Sequence, residues 1–270
     1  MKTTHSLATA SSLFLPLMMM YACASSNHDT MKAEHSAKAE HAPHSAHWSY
    51  VGENGPQNWS SLDPRFEVCG AGEHQSPIDL KDAEKEDLRN LVFHYQPSAL
   101  KMVNNGHTVQ MNVDPGSYME FDGVRYDVLQ YHYHAPSEHT VNGRHYDAEI
   151  HVVHKNAEGQ LAVVGFLMES GSENSAFEPI LAALPAEASS TAEATKKVNV
   201  SDLMPPVLGA YRYSGSLTTP PCTEGVSWFV LSTPVQLSKA QIEQFEAVYE
   251  GNNRPTQSAE KISLTMDSTP

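Results

Sequence analysis

Apolar and polar residues alternate along several stretches of the chain after residue 48, which is the pattern of half-buried β-strands. The clearest alternation covers residues 124–129, 148–154, 161–168 and 226–231. Asn142-Gly143 lies between two of these stretches and is the strongest short-range hairpin signal in the chain. The pattern therefore predicts one domain built mainly from β-strands.

Helix start signals are few in the same region. Capping boxes, in which a Ser is followed three residues later by Glu or Gln, predict helix starts at Ser175 and Ser238. We expect the first helix to end by Pro185 and the second at Gly251. Residues 186–200 are rich in Ala, Ser, Thr and Lys, which is typical of an exposed loop. The helices are therefore expected at the periphery of the strands.

The first residues have the pattern of an export signal. Lys2 precedes a mostly apolar stretch over 7–22, which is too short and too often interrupted by Ser to form a stable membrane span. Two interpretations remain open. The signal peptide covers 1–24 and is cut after Ala24, or it covers 1–22 and lipid is attached to Cys23. Either one predicts an exported protein.

Residues 25–46 contain no Val, Ile, Leu, Phe, Trp or Tyr, so they have nothing to bury in a core. Several His residues fall in this stretch, within a near-repeat of Ala, Glu and His. It is expected to be a disordered, His-rich tether, and the alternative is a loose metal-scavenging tail. The tether is favoured because nothing in the stretch fixes a ligand geometry.

The charge and composition exclude some functions and suggest another. The chain has 17 Lys and Arg against 32 Asp and Glu, a formal net charge of −15, which argues against binding to nucleic acid. Three Cys are too few for a small disulfide scaffold, and 40% of the residues are apolar, which is enough for a core. Fifteen His is a high number and is the first indication of metal chemistry.

The segment Gln-Tyr-His-Tyr-His is the most informative part of the chain. Alternate residues of a strand share a face, so Gln130, His132 and His134 point to one side. By the same rule, Glu149 and His151 share a face of the next predicted strand. A metal-bound His passes its other ring N–H to an acceptor, and Gln130 and Glu149 are placed to be such acceptors.

The Asn142-Gly143 turn joins these two strands. In a clean two-residue hairpin the numbers of opposed residues sum to 142 plus 143, which would set His134 opposite His151. Pro136 disturbs such a ladder, so the register indicates proximity only. Three His around one open coordination position make a catalytic zinc site. The remaining His of this region are interpreted as ordinary polar residues: His74, His94, His139, His145 and His154.

Many short motifs follow one another along nearly the whole of residues 47–260. They are His47-Trp48-Ser49-Tyr50, Gln75-Ser76-Pro77-Ile78, Asn104-Asn105-Gly106-His107, His132-Tyr133-His134, Ser137-Glu138-His139-Thr140, Ala148-Glu149-Ile150-His151, Ser216-Leu217-Thr218-Thr219-Pro220-Pro221-Cys222 and Asn253-Arg254-Pro255. In their order and spacing these motifs resemble the α-class carbonic anhydrases, and specifically exported bacterial members.

The resemblance implies a fold class, the bounds of the domain and a reaction. The fold class is mainly β, a single domain with a large twisted, mostly antiparallel central sheet and short peripheral helices. The domain is expected over 47–262, followed by a tail over 263–270. The family's reaction is the reversible hydration of carbon dioxide to bicarbonate and a proton, so the resemblance implies a zinc lyase, a carbonate dehydratase.

The resemblance also implies roles. His132, His134 and His151 would bind Zn²⁺, and a zinc-bound hydroxide would attack carbon dioxide. Thr218 would orient that hydroxide because Glu138 takes the Thr218 proton, and His107 would be the proton shuttle. The residues matching the family's substrate pocket are Val153, Val163, Leu217, Thr219 and Trp228, and those matching its ordered water chain are Tyr50, Asn105 and Gln110.

Cys69 and Cys222 match a disulfide of bacterial members, which suits an exported protein. Cys23 is then the odd cysteine, which keeps the possible lipid anchor open. The resemblance implies a periplasmic location, with or without that anchor, and by analogy a homodimer. The partners expected are carbon dioxide and bicarbonate.

Two other functions compete with the enzyme. Some proteins with this fold lose a zinc His and act only as recognition domains, but this chain keeps all three His together with His107, Glu138 and Thr218. A metal buffer, with residues 25–46 as its functional part, is the third hypothesis. Removing those residues would separate it from the enzyme.

Overall fold

The strand order in space differs from the order along the chain, and this is what brings the predicted site together. The structure is a computed structural model that describes residues 47–267. The predictions for the signal peptide, Cys23 and the tether fall outside the described residues. The strands are β1 (Asp79–Leu80), β2 (Glu84–Lys85), β3 (Val92–His94), β4 (Lys101–Asn104), β5 (Val109–Asn112), β6 (Tyr118–Phe121), β7 (Val124–His134), β8 (Thr140–Val141), β9 (Arg144–His145), β10 (Ala148–Lys155), β11 (Leu161–Ser170), β12 (Thr191–Glu193), β13 (Ala210–Ser216), β14 (Glu224–Leu237) and β15 (Thr265–Asp267).

Helices are short and lie either before the first strand or between later strands along the chain. None of those in the described part of the chain combines the length and the apolar character that a membrane crossing requires. The α-helices are α1 (Trp59–Leu62), α2 (Val68–Ala71), α3 (Glu178–Leu181) and α4 (Lys239–Glu246), and the 3-10 turns are Gly52–Asn54, Pro56–Asn58, Pro64–Phe66, Ser175–Phe177 and Val200–Leu203.

One large sheet dominates the described residues. Its strands follow the order β12-β4-β5-β7-β10-β11-β14-β13-β15-β2, with β6 also on β7 and β3 on β6. Neighbours are antiparallel except β11 with β14 and β15 with β2. A small second sheet has the order β1-β8-β9. The predicted fold class, a single β-domain with a large, mostly antiparallel sheet and short peripheral helices, is confirmed.

The large sheet is covered on both faces. Tyr131 and Tyr133 are buried in the larger hydrophobic cluster, with Phe245 of α4 against the Tyr133 ring. The other face carries a second cluster that includes Val163 and Trp228. Strand β10 lies between β7 and β11 and is buried at every residue but the last, because neither of its faces meets solvent.

The register of β7 against β10 differs from the clean hairpin prediction. His132, not His134, lies opposite His151, and His134 lies opposite Glu149, a shift of two residues. Residues 135–147 leave the large sheet after His134 because Pro136 has no N–H for the ladder. A shift of two keeps every side chain on its predicted face, so the ligands still meet.

The Asn142-Gly143 turn forms where it is predicted, but within the small sheet. It connects β8 to β9 and sets Val141 opposite Arg144. Asn142 and Gly143 have φ of 50° and 77°, the left-handed values of the favoured two-residue hairpin turn. The hairpin is thus an excursion from the β7–β10 pair rather than its closing turn.

Both predicted helix starts are confirmed, since a 3-10 turn begins at Ser175 and continues into α3, but only one of the two predicted capping boxes forms. Ser238 and Gln241 form the capping box of α4, but this helix ends at Glu246, before the predicted Gly251. At the other site Asn174 is the capping residue, since its side chain accepts from the Ala176 N–H. The predicted box from Ser175 does not form there because the cap lies one residue earlier.

Two segments are more ordered than predicted. The stretch 186–200 contains β12, which pairs with β4, and its Val198 is buried. Strand β15 lies beyond the predicted domain end at 262 and pairs with both β13 and β2. Both strands have three residues, which is too short for an alternating pattern to be recognised in the sequence.

Candidate metal centre

Two adjacent strands bring three histidines together. His132 and His134 lie on β7, and His151 lies on β10 directly opposite His132. One ring nitrogen from each of the three lies within 4.8 Å of the others. This is the set that sequence reasoning assembled, although through a different register.

Each of these rings is held by a hydrogen bond at its other nitrogen. A carbonyl or carboxylate oxygen only accepts, so the bonded nitrogen carries the proton and the remaining one carries a lone pair. The bonds join His132 Nδ1 to Gln130 Oε1 at 2.9 Å, His134 Nδ1 to the Asn252 carbonyl oxygen at 2.6 Å, and His151 Nε2 to Glu149 Oε1 at 2.9 Å.

The electrostatics favour neutral rings. Desolvation lowers the pKa of all three imidazoles, to about 4 at His134. A neutral imidazole is the form that binds a metal. Each ring therefore presents a lone pair toward the other two at neutral pH.

The described residues leave two buried atoms of this centre without a hydrogen bond, His134 Nε2 and Glu138 Oε2. They are 3.6 Å apart, and Glu138 Oε2 lies 3.8 Å from His151 Nδ1. A buried polar atom without a partner is costly unless a ligand satisfies it. Three neutral His nitrogens are the donor set of a catalytic zinc site. The residues therefore fit a zinc ion.

Glu149 organises the polar groups behind His151. Its carboxylate accepts from the backbone N–H groups of Glu138 and His139 and lies 2.7 Å from His139 Nδ1. Burial alone would raise its pKa, but His139 and His151 hold it well below the usual range. His139, interpreted above as an ordinary polar residue, has its other nitrogen 2.7 Å from the Tyr213 hydroxyl. The second close group, His139, Glu149 and His151, is thus occupied by its own hydrogen bonds.

Glu138 is fully buried beside the three rings. Its Oε1 accepts from the Arg254 backbone N–H at 2.8 Å. Burial raises its pKa to about 7, against the opposing effects of His151, the Arg254 amide and the Thr218 side chain. The structure thus brings Glu138 to Thr218 and to the proposed ligands.

The loop with Thr218 and Thr219 is tied to the rest of the domain through Cys222. A disulfide joins Cys222 to Cys69, 153 residues earlier, and the Cys222 N–H donates to the Thr219 carbonyl. The buried guanidinium of Arg254 donates to the Cys69 carbonyl on the same side. The predicted disulfide therefore braces this loop.

A cavity of about 130 Å³ opens onto His132 and His134. All four residues that the sequence assigned to water order and proton transfer line it. The full lining is Trp48, Tyr50, Asn105, His107, Thr108, Gln110, Gln130, His132, His134 and Thr219. Within the described residues, the predicted apolar wall does not line this cavity. Val153, Val163 and Trp228 are buried on neighbouring strands, with Val153 opposite Gln130 of the cavity, and Leu217 packs against them.

That wall reaches the centre through the Trp228 ring, which lies 4.8 Å from the His151 ring. The centre therefore has two kinds of neighbour, the polar residues of the cavity and the apolar Trp228 ring.

His107 lies at the mouth of the cavity and is half-buried. Its ring stacks on Trp48, with centroids 3.7 Å apart and 8° between the planes. Desolvation and the nearby His47 lower its pKa. Asn105 Oδ1 accepts from the backbone N–H groups of His107 and Thr108, so this oxygen caps the turn.

Sequence reasoning missed Asn252, which orients His134 from 118 residues away. No spacing rule links the two positions. Arg254 carried one signal, because it stands in the quoted Asn253-Arg254-Pro255 motif, although no role was assigned to it.

Comparison with known proteins points to one family. The family model of the eukaryotic-type carbonic anhydrases matches residues 54–265. A carbonic anhydrase of Nostoc sp. is 42% identical over 217 residues, covering 78% of this chain and 82% of that protein. One of Klebsiella pneumoniae is 41% identical, covering 78% and 87%. The α-carbonic anhydrase of Thermovibrio ammonificans, solved with the inhibitor sulfanilamide, has a TM-score of 0.80 at 41% identity, covering 82% of this chain and all of that one.

Proposed function

The chain belongs to the α-carbonic anhydrase family, a family of zinc lyases, and on this premise we propose that it catalyses the reversible hydration of carbon dioxide to bicarbonate and a proton. The observation that carries the proposal is the convergence of three neutral imidazole nitrogens, of which His134 Nε2 is buried and has no hydrogen bond among the described residues. Net, water adds to the carbon of carbon dioxide and one proton leaves.

His132, His134 and His151 would hold a zinc ion. When bound, zinc lowers the pKa of a coordinated water and so supplies a nucleophile near neutral pH. The hydrogen bonds from Gln130, the Asn252 carbonyl and Glu149 fix the three rings in the tautomers that this role needs.

Thr218 and Glu138 would orient the nucleophile. The Glu138 carboxylate accepts from the Arg254 N–H and lies within hydrogen-bond reach of the Thr218 side chain, whose hydroxyl would donate its proton to it. Once Thr218 donates to Glu138, its oxygen has only acceptor capacity left for the attacking oxygen. The attacking oxygen is therefore held with a lone pair free for the substrate carbon.

Carbon dioxide carries no charge and no donor, so it suits the apolar residues near the centre. Val153, Val163, Leu217 and Trp228 supply that surface, and Thr219 lines the polar cavity. In that cavity, Tyr50, Asn105 and Gln110 would order water between the centre and His107. His107 would then carry the proton to buffer, because an imidazole titrates near neutral pH.

The disulfide supports a location outside the cytoplasm, since such bonds persist in oxidising compartments. We extend this to a periplasmic enzyme made with a signal peptide over 1–24, or over 1–22 with a lipid on Cys23, followed by a tether over 25–46. A homodimer is proposed from the family resemblance.

The direct test is zinc content together with carbon dioxide hydration, measured on purified residues 25–270 and on the same protein without 25–46. We expect one zinc per chain and equal turnover in both. Stoichiometric zinc without hydration would favour a recognition domain. Zinc that is lost with residues 25–46 would favour a metal buffer.

A further inference from the structure

Asn252 joins three segments of the site through one side chain. It is 2% exposed and follows Gly251, whose φ of 76° turns the chain toward the end of β7. Its Nδ2 donates to the carbonyl oxygens of His107 and Tyr133, both at 3.1 Å, and its Oδ1 accepts from the Ala135 N–H at 2.9 Å. Its backbone carbonyl accepts from His134 Nδ1.

Only an amide satisfies this set of partners. Two carbonyl oxygens converge on Nδ2 and one N–H faces Oδ1, which uses both donors and one acceptor of the carboxamide. An Asp would set a second oxygen against two carbonyl oxygens. The site is thus specific for Asn.

The turn with His107 is shaped locally but needs outside contacts for its placement. Asn105 supplies the local bonds, to His107 and Thr108, and these do not fix the turn relative to β7. Two side-chain bonds do: Thr108 Oγ1 donates to the Tyr133 carbonyl at 2.6 Å, and Asn252 Nδ2 donates to the His107 carbonyl. Of these two, only the Asn252 bond ends on His107 itself.

We propose that Asn252 is a positioning residue for proton transfer. Its side-chain amide holds the His107 turn against the strand that carries His132 and His134, and so sets the path from the metal centre to the shuttle. This rests on the proposed function, since it takes His107 as the proton carrier.

The test is Asn252→Ala in the full mature protein. The substitution removes the side-chain bonds but keeps the backbone carbonyl that orients His134, so zinc is expected to stay at one per chain. In weak buffer kcat should fall about tenfold, because a misplaced transfer group loses most of its advantage. The ratio kcat/KM, which reports steps before the proton leaves, should stay within about twofold of wild type. Imidazole in the medium should restore most of kcat.

A readout that does not depend on turnover is amide hydrogen exchange in the zinc-loaded protein. The His107 and Thr108 amides should exchange faster in Asn252→Ala than in wild type. Asn156→Ala is the matched control, because Asn156 is also buried and its side chain also ties a loop, through Gln160. The control should change neither kcat nor exchange at these two amides.

A double variant separates positioning from general damage. If Asn252 acts through His107, Asn252→Ala should lower kcat no further in a His107→Ala background. An additive loss, an equal fall of kcat and kcat/KM, or an unchanged kcat would each overturn the proposal. If Asn252→Ala does not fold, Asn252→Ser is measured in its place against the same criteria.

The shuttle role of His107 and the positioning role of Asn252 can be tested separately. If His107→Ala keeps full kcat in weak buffer, the shuttle assignment falls and the positioning role falls with it. If His107→Ala is slow but Asn252→Ala turns over like wild type, only the role of Asn252 is wrong.

Discussion

Strand β10 carries two buried histidines that face opposite sides of the sheet. His151 meets Trp228 and the metal centre, and His154 meets Tyr95 in the larger core cluster. His154 has both nitrogens bonded, since Nδ1 donates to the Ala162 carbonyl at 3.3 Å and Nε2 accepts from the Tyr95 hydroxyl at 2.8 Å. In the His151 group, lone pairs converge and His134 Nε2 has no hydrogen bond among the described residues.

Burial does not distinguish the two regions. Desolvation lowers the pKa of His151 and His154 alike, to about 4 at His154. What differs is hydrogen-bond satisfaction. A histidine whose two nitrogens are bonded within the protein is part of the core, whereas histidines whose lone pairs converge form a site.

The largest effect is expected from a pair of substitutions by Ala, one in each region. His134→Ala should lose zinc and reduce carbon dioxide hydration to background, because two imidazoles leave the ion under-coordinated. His154→Ala should keep one zinc per chain and near-normal kcat, while the free energy of unfolding drops by about 2–4 kcal/mol through the cavity and the unpaired Tyr95 hydroxyl. Metal analysis, hydration assays and urea unfolding measure the two variants side by side.

A His134→Ala protein that retains stoichiometric zinc and normal turnover would end the ligand assignment. Loss of zinc from His154→Ala would show that His154 is not merely a core residue, and the distinction between the two faces of the sheet would be wrong.

The second prediction concerns Glu138, which lies beside the metal centre. Glu138→Gln should keep zinc but slow kcat by about two to three orders of magnitude, because an amide donates as well as accepts and so stops directing the Thr218 hydroxyl. The exposed Glu158→Gln is the control and should be silent. Turnover of Glu138→Gln equal to wild type would show that Glu138 plays no part in orienting the nucleophile.

The core side predicts a pH dependence of stability. Burial lowers the pKa of His154 from 6.5 to about 4, so the folded state binds fewer protons than the unfolded state between these values. The free energy of unfolding therefore has its full value above pH 6.5 as far as His154 is concerned. As the pH falls toward 4 it decreases by about 3 kcal/mol in total. The difference in urea unfolding between wild type and His154→Gln, measured from pH 7 to pH 4, should show it. An equal pH slope in both proteins would contradict the prediction.

The smallest expected effect concerns His107, which is half-buried and belongs to neither group. His107→Ala should lower kcat about tenfold in weak buffer, leave kcat/KM nearly unchanged, and recover with imidazole, because the proton leaves after bicarbonate forms. Protein lacking residues 25–46 gives the cleaner measurement, since it removes the other imidazoles that would compete with His107 as proton carriers. If imidazole has no effect even there, His107 is only part of a turn.

The sequence predicted which residues of the metal centre share a face, but not the register of the two strands that carry them. The alternation of Gln130, His132 and His134, and of Glu149 and His151, put all three ligands on the correct face, together with the hydrogen-bond partners of His132 and His151. The register was wrong because Pro136 opens an excursion, and neither its length nor its pairing with β1 has a local signal. A period of two survives a shift of two, which is why the ligand prediction tolerated the error.

Contacts between distant segments have no signal in the residue pattern, and the two that were predicted, Cys69 with Cys222 and Glu138 with Thr218, came from the family resemblance. Asn252 reaches His134 and His107, and Arg254 reaches Glu138, across more than 100 residues. Their geometry follows from packing of the whole sheet rather than from any periodicity. His139 was interpreted as an ordinary polar residue, although it supports the site through Glu149. The sequence does not distinguish such a histidine from a hydrogen-bonded histidine elsewhere in the core.

The most direct test of the central claim is anomalous diffraction at the zinc edge from crystals of the zinc-loaded protein. The account predicts one strong peak about 2.0–2.1 Å from His132 Nε2, His134 Nε2 and His151 Nδ1, with none near His154. A peak among His139, Glu149 and His151, or no peak in a protein that hydrates carbon dioxide, would contradict it.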